Sequence, residues 1–237
     1  MSGLPTRYAG WMIRDFAAGP AILMAVLAGL ALLVVRNLQV VGPSGNADLA
    51  ACFVALEWTT MSLTLVATAG LVSGDFSQGH QRTLFAKPLN PALYYLQRWL
   101  IGGVAVTVAT LPIAYAIASR FAVPVLGLGF FARLALLYLV LGGLVFLLST
   151  ITRRDWLVAI VLIACQAALG AAHSAGLAHG PLTEALIAIL PPFQLIGLRG
   201  PTPEVAGLVH AVGYGALLLL AALAVLQWRP LARGARD

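Results

Sequence analysis

The sequence predicts an all-α polytopic membrane protein, six transmembrane helices preceded by an N-terminal interfacial helix. Three observations carry this. Of 237 residues, 61% are hydrophobic and only 9% charged, where a soluble globular domain carries about 25% charged residues. The mean hydropathy of +0.95 comes from six long apolar runs at 21–41, 51–73, 95–119, 127–150, 156–177 and 205–228. Each is long enough for a hydrocarbon core of ~30 Å, which takes about 20 helical residues. Finally, the 14 Lys and Arg residues divide unevenly between alternate connections, as the cytoplasmic bias of cationic residues requires.

The chain opens on PTRYAGWMIRDFAAGP. Tyr8, Trp11, Met12, Asp15 and Phe16 fall at helical spacing, while Arg7 and Arg14 stand a heptad apart on a more polar side. This is the pattern of an amphipathic helix lying in a membrane interface. It reads either as an elbow that transmits motion to the first span or as a simple anchor. Gly19-Pro20 interrupts the helix, and domain organisation follows: 1–20 the interfacial element, 21–228 the six-helix domain, 229–237 a cytoplasmic tail. The first apolar run starts near Ala21 and is as long as the others, so no cleavable signal is expected.

Within the spans, Gly207, Ala211 and Gly215 recur every fourth residue in the sixth, and Gly142-Gly143 stand together in the fourth; small residues of this kind allow close helix approach. Pro112 should kink the third, with neighbours satisfying the freed carbonyl. Cys52 and Cys165 lie in different spans without a metal-ligand pattern, so neither a disulfide framework nor a metal site is indicated. Glu57 in the second span and His210 in the sixth are ionisable groups at comparable expected depth. Such groups are costly in lipid, by roughly 2.5–3.5 kcal/mol for Asp, Lys or Arg, and so face a cavity or a partner. They are candidates for a substrate pathway, against the plainer reading of Glu57 as a helix-to-helix hydrogen-bonding group paired with His210 or Arg36.

Orientation follows from the cations. With both termini cytoplasmic, Arg7, Arg14, Arg82, Lys87, Arg98, Arg153, Arg154, Arg229, Arg233 and Arg236 lie inside, and Arg36, Arg120, Arg133 and Arg199 outside. The net charge of +6 is a topology signal and an attraction to anionic lipid; scattered as it is, it gives no phosphate-tracking stripe, and nucleic acid is not an expected partner. An inner, cytoplasmic membrane location is expected. Outside, residues 178–204 join the last two spans, and TEALIAIL before Pro191-Pro192 is too short to cross, so it reads as re-entrant or surface-lying, a gate or a lid.

Soluble-enzyme chemistry is missing from the sequence. There is no GxxxxGK[ST] phosphate loop and no HExxH motif. GLVSGD near Gly70 has the wrong spacing for an intramembrane serine protease, and Ser73 lies at the inner edge while His173 and His210 lie toward the outside. The chain is therefore expected not to be an enzyme.

The polar island from Gly74 to Leu100, GDFSQGHQRTLFAKPLNPALYYLQRWL, is the feature that points to function. Its order, small residues closing a span, then an acidic residue, then Arg82-Thr83-Leu84, Lys87-Pro88-Leu89 and Leu96-Gln97-Arg98, resembles the cytoplasmic signature of type-2 ABC exporter permeases. The later ILPPFQLIGLRG, Ile189 to Gly200, resembles the Pro-Phe-bearing outer loop of the multicopper-maturation and gliding-type subgroup. Six spans and an interfacial N-terminal helix fit that family along the whole chain. The island departs from it where Leu89-Asn90-Pro91 replaces a Ser-Arg after the proline and where the acidic residue is displaced to Asp75.

The resemblance implies the type-2 ABC exporter fold and a permease subunit with no cofactor of its own. ATP and Mg would be bound by a separate cytoplasmic ABC ATPase, met through residues 74–90. It implies an ATPase contact made by Asp75, Gln78, His80, Gln81, Arg82, Thr83, Leu84, Phe85 and Lys87. Ser77 suits an N-cap and Pro88 a stop, Leu84 and Phe85 suit an apolar groove, and Gln78, His80, Gln81 and Arg82 suit its polar rim. Asn90-Pro91 then starts the next helix. A second permease copy or a paralogue is the other expected protein partner. The competing reading is a membrane-embedded substrate-binding or scaffold protein without ATPase coupling.

Overall fold

The computed structural model describes residues 6–37, 45–77, 90–175, 180, 181, 185, 198 and 205–228. Among them every regular element is helical: α1 Thr6–Ala18, α2 Pro20–Asn37, α3 Gly45–Thr68, α4 Ser73–Ser77, α5 Pro91–Phe121, α6 Leu128–Leu137, a π-helical turn Tyr138–Gly142, α7 Gly143–Ile151, α8 Asp155–Ser174 and α9 Val205–Trp228. Six helical stretches are long and apolar enough to cross a membrane.

The α1–α2 break falls at Gly19, with Pro20 opening α2, where its missing N–H costs nothing because a first-turn donor has no intrahelical partner. The expected aromatic face of α1 is divided. Met12 is buried and Phe16 packs on the core, while Trp11 and Ile13 stay exposed. Steps of 100° put positions 12 and 16 on one stripe and turn position 11 to the next, so the bundle takes the first stripe and leaves the second outside.

In α2, Met24, Ala28, Ala31 and Val35 form the buried stripe and Ile22, Val26, Leu30 and Leu33 the exposed one. An apolar exposed stripe is what a lipid-facing helix presents. Buried Thr60, Thr64 and Thr68 in α3 each donate to the carbonyl four residues earlier (2.8, 2.9 and 2.6 Å), so a polar stripe enters an apolar bundle with every hydroxyl satisfied.

α5 starts four residues before hydropathy suggests. Its true boundary is a cap: Asn90 is extended (φ −77°, ψ 114°), and its Oδ1 accepts from the Ala92 and Leu93 amides at 3.0 and 3.4 Å, with Pro91 in the first turn. The helix stays continuous through Pro112 and ends at Ala122 in the left-handed region (φ 52°).

The α6–π–α7 span is the centre of the molecule, 72% buried where the other five are 17–33% buried. Glycines let its neighbours in. A Cβ on Gly215 of α9 would stand 2.7 Å from Leu139 Cγ, and one on Gly143 would stand 3.3 Å from the Gly215 carbonyl oxygen. The small-residue pattern of the sixth span thus serves the crossing with the fourth. On the other side, Gly102 and Gly103 of α5 accept the Tyr138 ring, where a Cβ would come within 2.8 Å. The Tyr138 hydroxyl donates to the Trp99 carbonyl, and the two rings lie 4.8 Å apart. The π turn sits at this packed junction, a placement such turns often take.

Successive spans alternate in direction, and side-chain contacts define the two ends. At one, Arg120 donates to the Val35 carbonyl and approaches Asp48 at 4.0 Å, joining the end of α2, the start of α3 and the end of α5. At the other, Arg98, Ser149 and Asp155 gather the end of α3, α4, the start of α5, the end of α7 and the start of α8. Arg14, Arg153 and Arg154 belong to this second end by their place in the chain, Arg36 to the first.

Candidate functional site at the Arg98 end of the bundle

The site is built where α3 stops. Gly70 adopts φ +68°, a left-handed conformation that glycine takes without steric cost and that commonly follows a helix end. Three freed backbone donors of this turn find side-chain acceptors from distant spans. Asp155 Oδ2 accepts from the Gly70 amide at 2.8 Å and from Ser73 Oγ at 3.3 Å. Ser149 Oγ accepts from the Val72 and Ser73 amides at 2.9 and 3.0 Å. Asp155 is 1% exposed and Ser149 3%. A buried carboxylate is tolerable here because it accepts charge-assisted hydrogen bonds and stands in the first turn of α8, where the helix dipole favours negative charge.

One turn on, Asp75 of α4 is buried and forms an ion pair with Arg98 of α5, Nη1 to Oδ2 at 2.8 Å. The same Nη1 donates to the Leu71 carbonyl at 3.3 Å. The other nitrogen, Nη2, faces Asp15 of α1 at 3.8 Å. One guanidinium therefore spans α1, the turn leaving the second span and the start of the third. Planar geometry with several donors suits Arg to this bridging and Lys poorly. Tyr94 and Tyr95 are buried beside it, their rings 5.1 Å apart.

This cluster fixes where the segment joining Ser77 to Asn90 leaves and re-enters the bundle. Asp75 is committed to Arg98, so it works as an internal anchor of that segment. Gln78, His80, Gln81, Arg82, Thr83, Leu84, Phe85 and Lys87 lie outside the described residues, as do the side chain of Ser77, Pro88 as a stop, most of 178–204 with TEALIAIL and Pro191-Pro192, and the 229–237 tail. Glu57 is half-buried on α3, whose main neighbours are α2 and α5; His210 is exposed on α9, which packs chiefly on the π turn and α7. The His210 and Tyr214 ring centroids lie 6.2 Å apart.

Sequence reasoning read Arg98 as a cation of the inner side and as part of a motif, Asp155 not at all, and Ser149 as one more residue of an apolar run. The available signal for Asp155 was a charge immediately before an apolar run, where a helix starts. For Ser149 there was none, since a serine in the last turn of a span is ordinary.

Six helices of this length and apolarity make the chain a multi-pass membrane protein. No family model matches it, and no curated protein or solved structure is significantly similar to it.

Proposed function

We propose that the chain is the permease subunit of an ABC transporter of the type-2 exporter class, coupling ATP hydrolysis in a separate cytoplasmic ATPase to passage of a substrate across the membrane. The observation that carries this reading is the Arg98 cluster. A partner pressing on the 78–89 segment would act on Asp75, and Arg98 would pass the displacement to α5 and, through Asp15, to α1 and the first span. A connector that only touched lipid would need no such bridge. The motif resemblance of Arg82-Thr83-Leu84 and Lys87-Pro88 supports the same reading, as does the arrangement of the helices, in which the end of α4, the start of α5 and the end of α9 lie at one end of the bundle. The orientation that places this end in the cytoplasm, and a permease dimer with two ATPases, belong to the proposal. ATP and Mg would sit in the partner.

The test is the double substitution Leu84→Asp, Phe85→Asp. Truncating one hot-spot side chain typically costs ~2 kcal/mol or more of binding, and two buried charges cost more. The variant should insert and fold, because the segment lies between spans, yet lose co-purification with its ATPase and lose transport. Full transport with the ATPase bound would sink the proposal.

A further inference from the structure

At the Arg120 end, far from the Arg98 cluster, a cavity of about 650 Å3 opens between the first turns of α3, the α5–α6 connection and α6. Leu49, Phe53, Phe130 and Leu198 supply its apolar wall, and Arg133 is the one charged side chain that lines it among the described residues. Arg133 is half-buried and has no ion-pair partner among the described residues. As the sixth residue of α6 it stands roughly 7–8 Å along the helix from its start, at ~1.5 Å per residue. A half-buried guanidinium beside an apolar wall is partly desolvated, so an anion that neutralises it while covering the wall is favoured there.

We infer that this cavity is a binding site for a single-chain anionic amphiphile, its carboxylate or phosphate on Arg133 and its chain along Phe53, Phe130 and Leu49. A neutral apolar molecule would leave the cation uncompensated, and a small hydrophilic anion would leave the wall unused. The volume lies within the ~300–1,000 Å3 of small-molecule sites and is small for a two-chain lipid. Gly129 lines the cavity, and a Cβ there would meet nothing within 4 Å. The glycine keeps the cavity open without any conformational need for it.

The inference is independent of the ABC reading, since binding is measured without an ATPase and without transport. The experiment is native mass spectrometry of the full chain in neutral detergent with oleate, lysophosphatidylglycerol or the neutral monoolein. Wild type should retain one of the two anionic probes at least ten-fold more tightly than monoolein, and which of the two identifies the headgroup as carboxylate or phosphate. Arg133→Gln should remove that preference and Arg133→Lys restore part of it. Gly129→Leu should abolish retention with an unchanged melting temperature, which keeps the inference testable if Arg133→Gln does not fold. Equal retention of charged and neutral probes, retention of none, or undiminished binding in Gly129→Leu would overturn it.

Discussion

At the scale of single residues, the Arg98 end shows how few side chains a membrane protein needs to define a site. Asp75 and Arg98 are a pair in which each is only partly exposed, so losing one partner strands the other. Asp75→Asn should destabilise the protein by about 1.5–3 kcal/mol, the usual worth of a hydrogen bond to a charged group. Arg98→Ala should cost at least as much, because the Leu71 carbonyl contact goes too. Asp15 is more exposed and 3.8 Å away, and Asp15→Asn should cost under about 1 kcal/mol, as surface pairs do. Thermal melting in a fixed detergent orders the three; Asp15→Asn as damaging as Asp75→Asn would contradict the assignment of Asp75 as the anchor. Ser149→Ala is predicted to lower stability by about 1–3 kcal/mol, since two buried amides lose their acceptor at once.

At the scale of elements, the crossing of α9 with the fourth span depends on the absence of a side chain at one position. Gly215→Val would drive a Cβ into Leu139, against backbone as well as side chain, and overpacking of this kind costs typically 1–3 kcal/mol. Gly213, two residues away, has nothing within 4 Å of a Cβ. Gly213→Ala should be neutral or slightly stabilising, because alanine has the higher helix propensity. Comparable losses in both variants would show that helix propensity, not close packing, governs this helix. The cap at Asn90 teaches a complementary lesson. Asn90-Pro91 was legible as a helix start from its own chemistry, and the structure bears it out; the hydropathy boundary at 95 missed by four residues because the helix start is set by the Asn90 cap, which an apolar-run criterion does not register.

At the scale of the whole molecule, the described arginines separate into two ends as the alternate-loop bias expects. With the Arg98 end in the cytoplasm, a cysteine introduced at Thr202 should react with an impermeant maleimide added from outside, and one at Gln78 should not. The reverse pattern would invert the orientation and remove the basis for an ATPase contact at residues 78–89. Labelling in intact cells and in inverted vesicles checks both sites on both faces.

What the sequence determined was whatever depends on short range or on composition: the number and type of the spans, from runs of about 20 apolar residues; the Gly19-Pro20 break; the Asn90 cap; the small-residue face of α9. Each rests on steric or solvation rules that act within a turn or two of helix, or on the free energy of placing a residue type in lipid. Burial was not legible. All six spans are predominantly apolar, and in a bilayer a lipid-facing leucine and a core leucine satisfy the same solvation requirement, so the sequence could not say that the fourth span is the centre or that α1 turns Met12 inward and Trp11 out. Nor could it join Asp155 to Gly70, 85 residues away, or give Arg98 its partners. Those pairings arise because a polar group at the end of a span must find a counterpart on whichever helix packs beside it, and only the tertiary arrangement decides which helix that is.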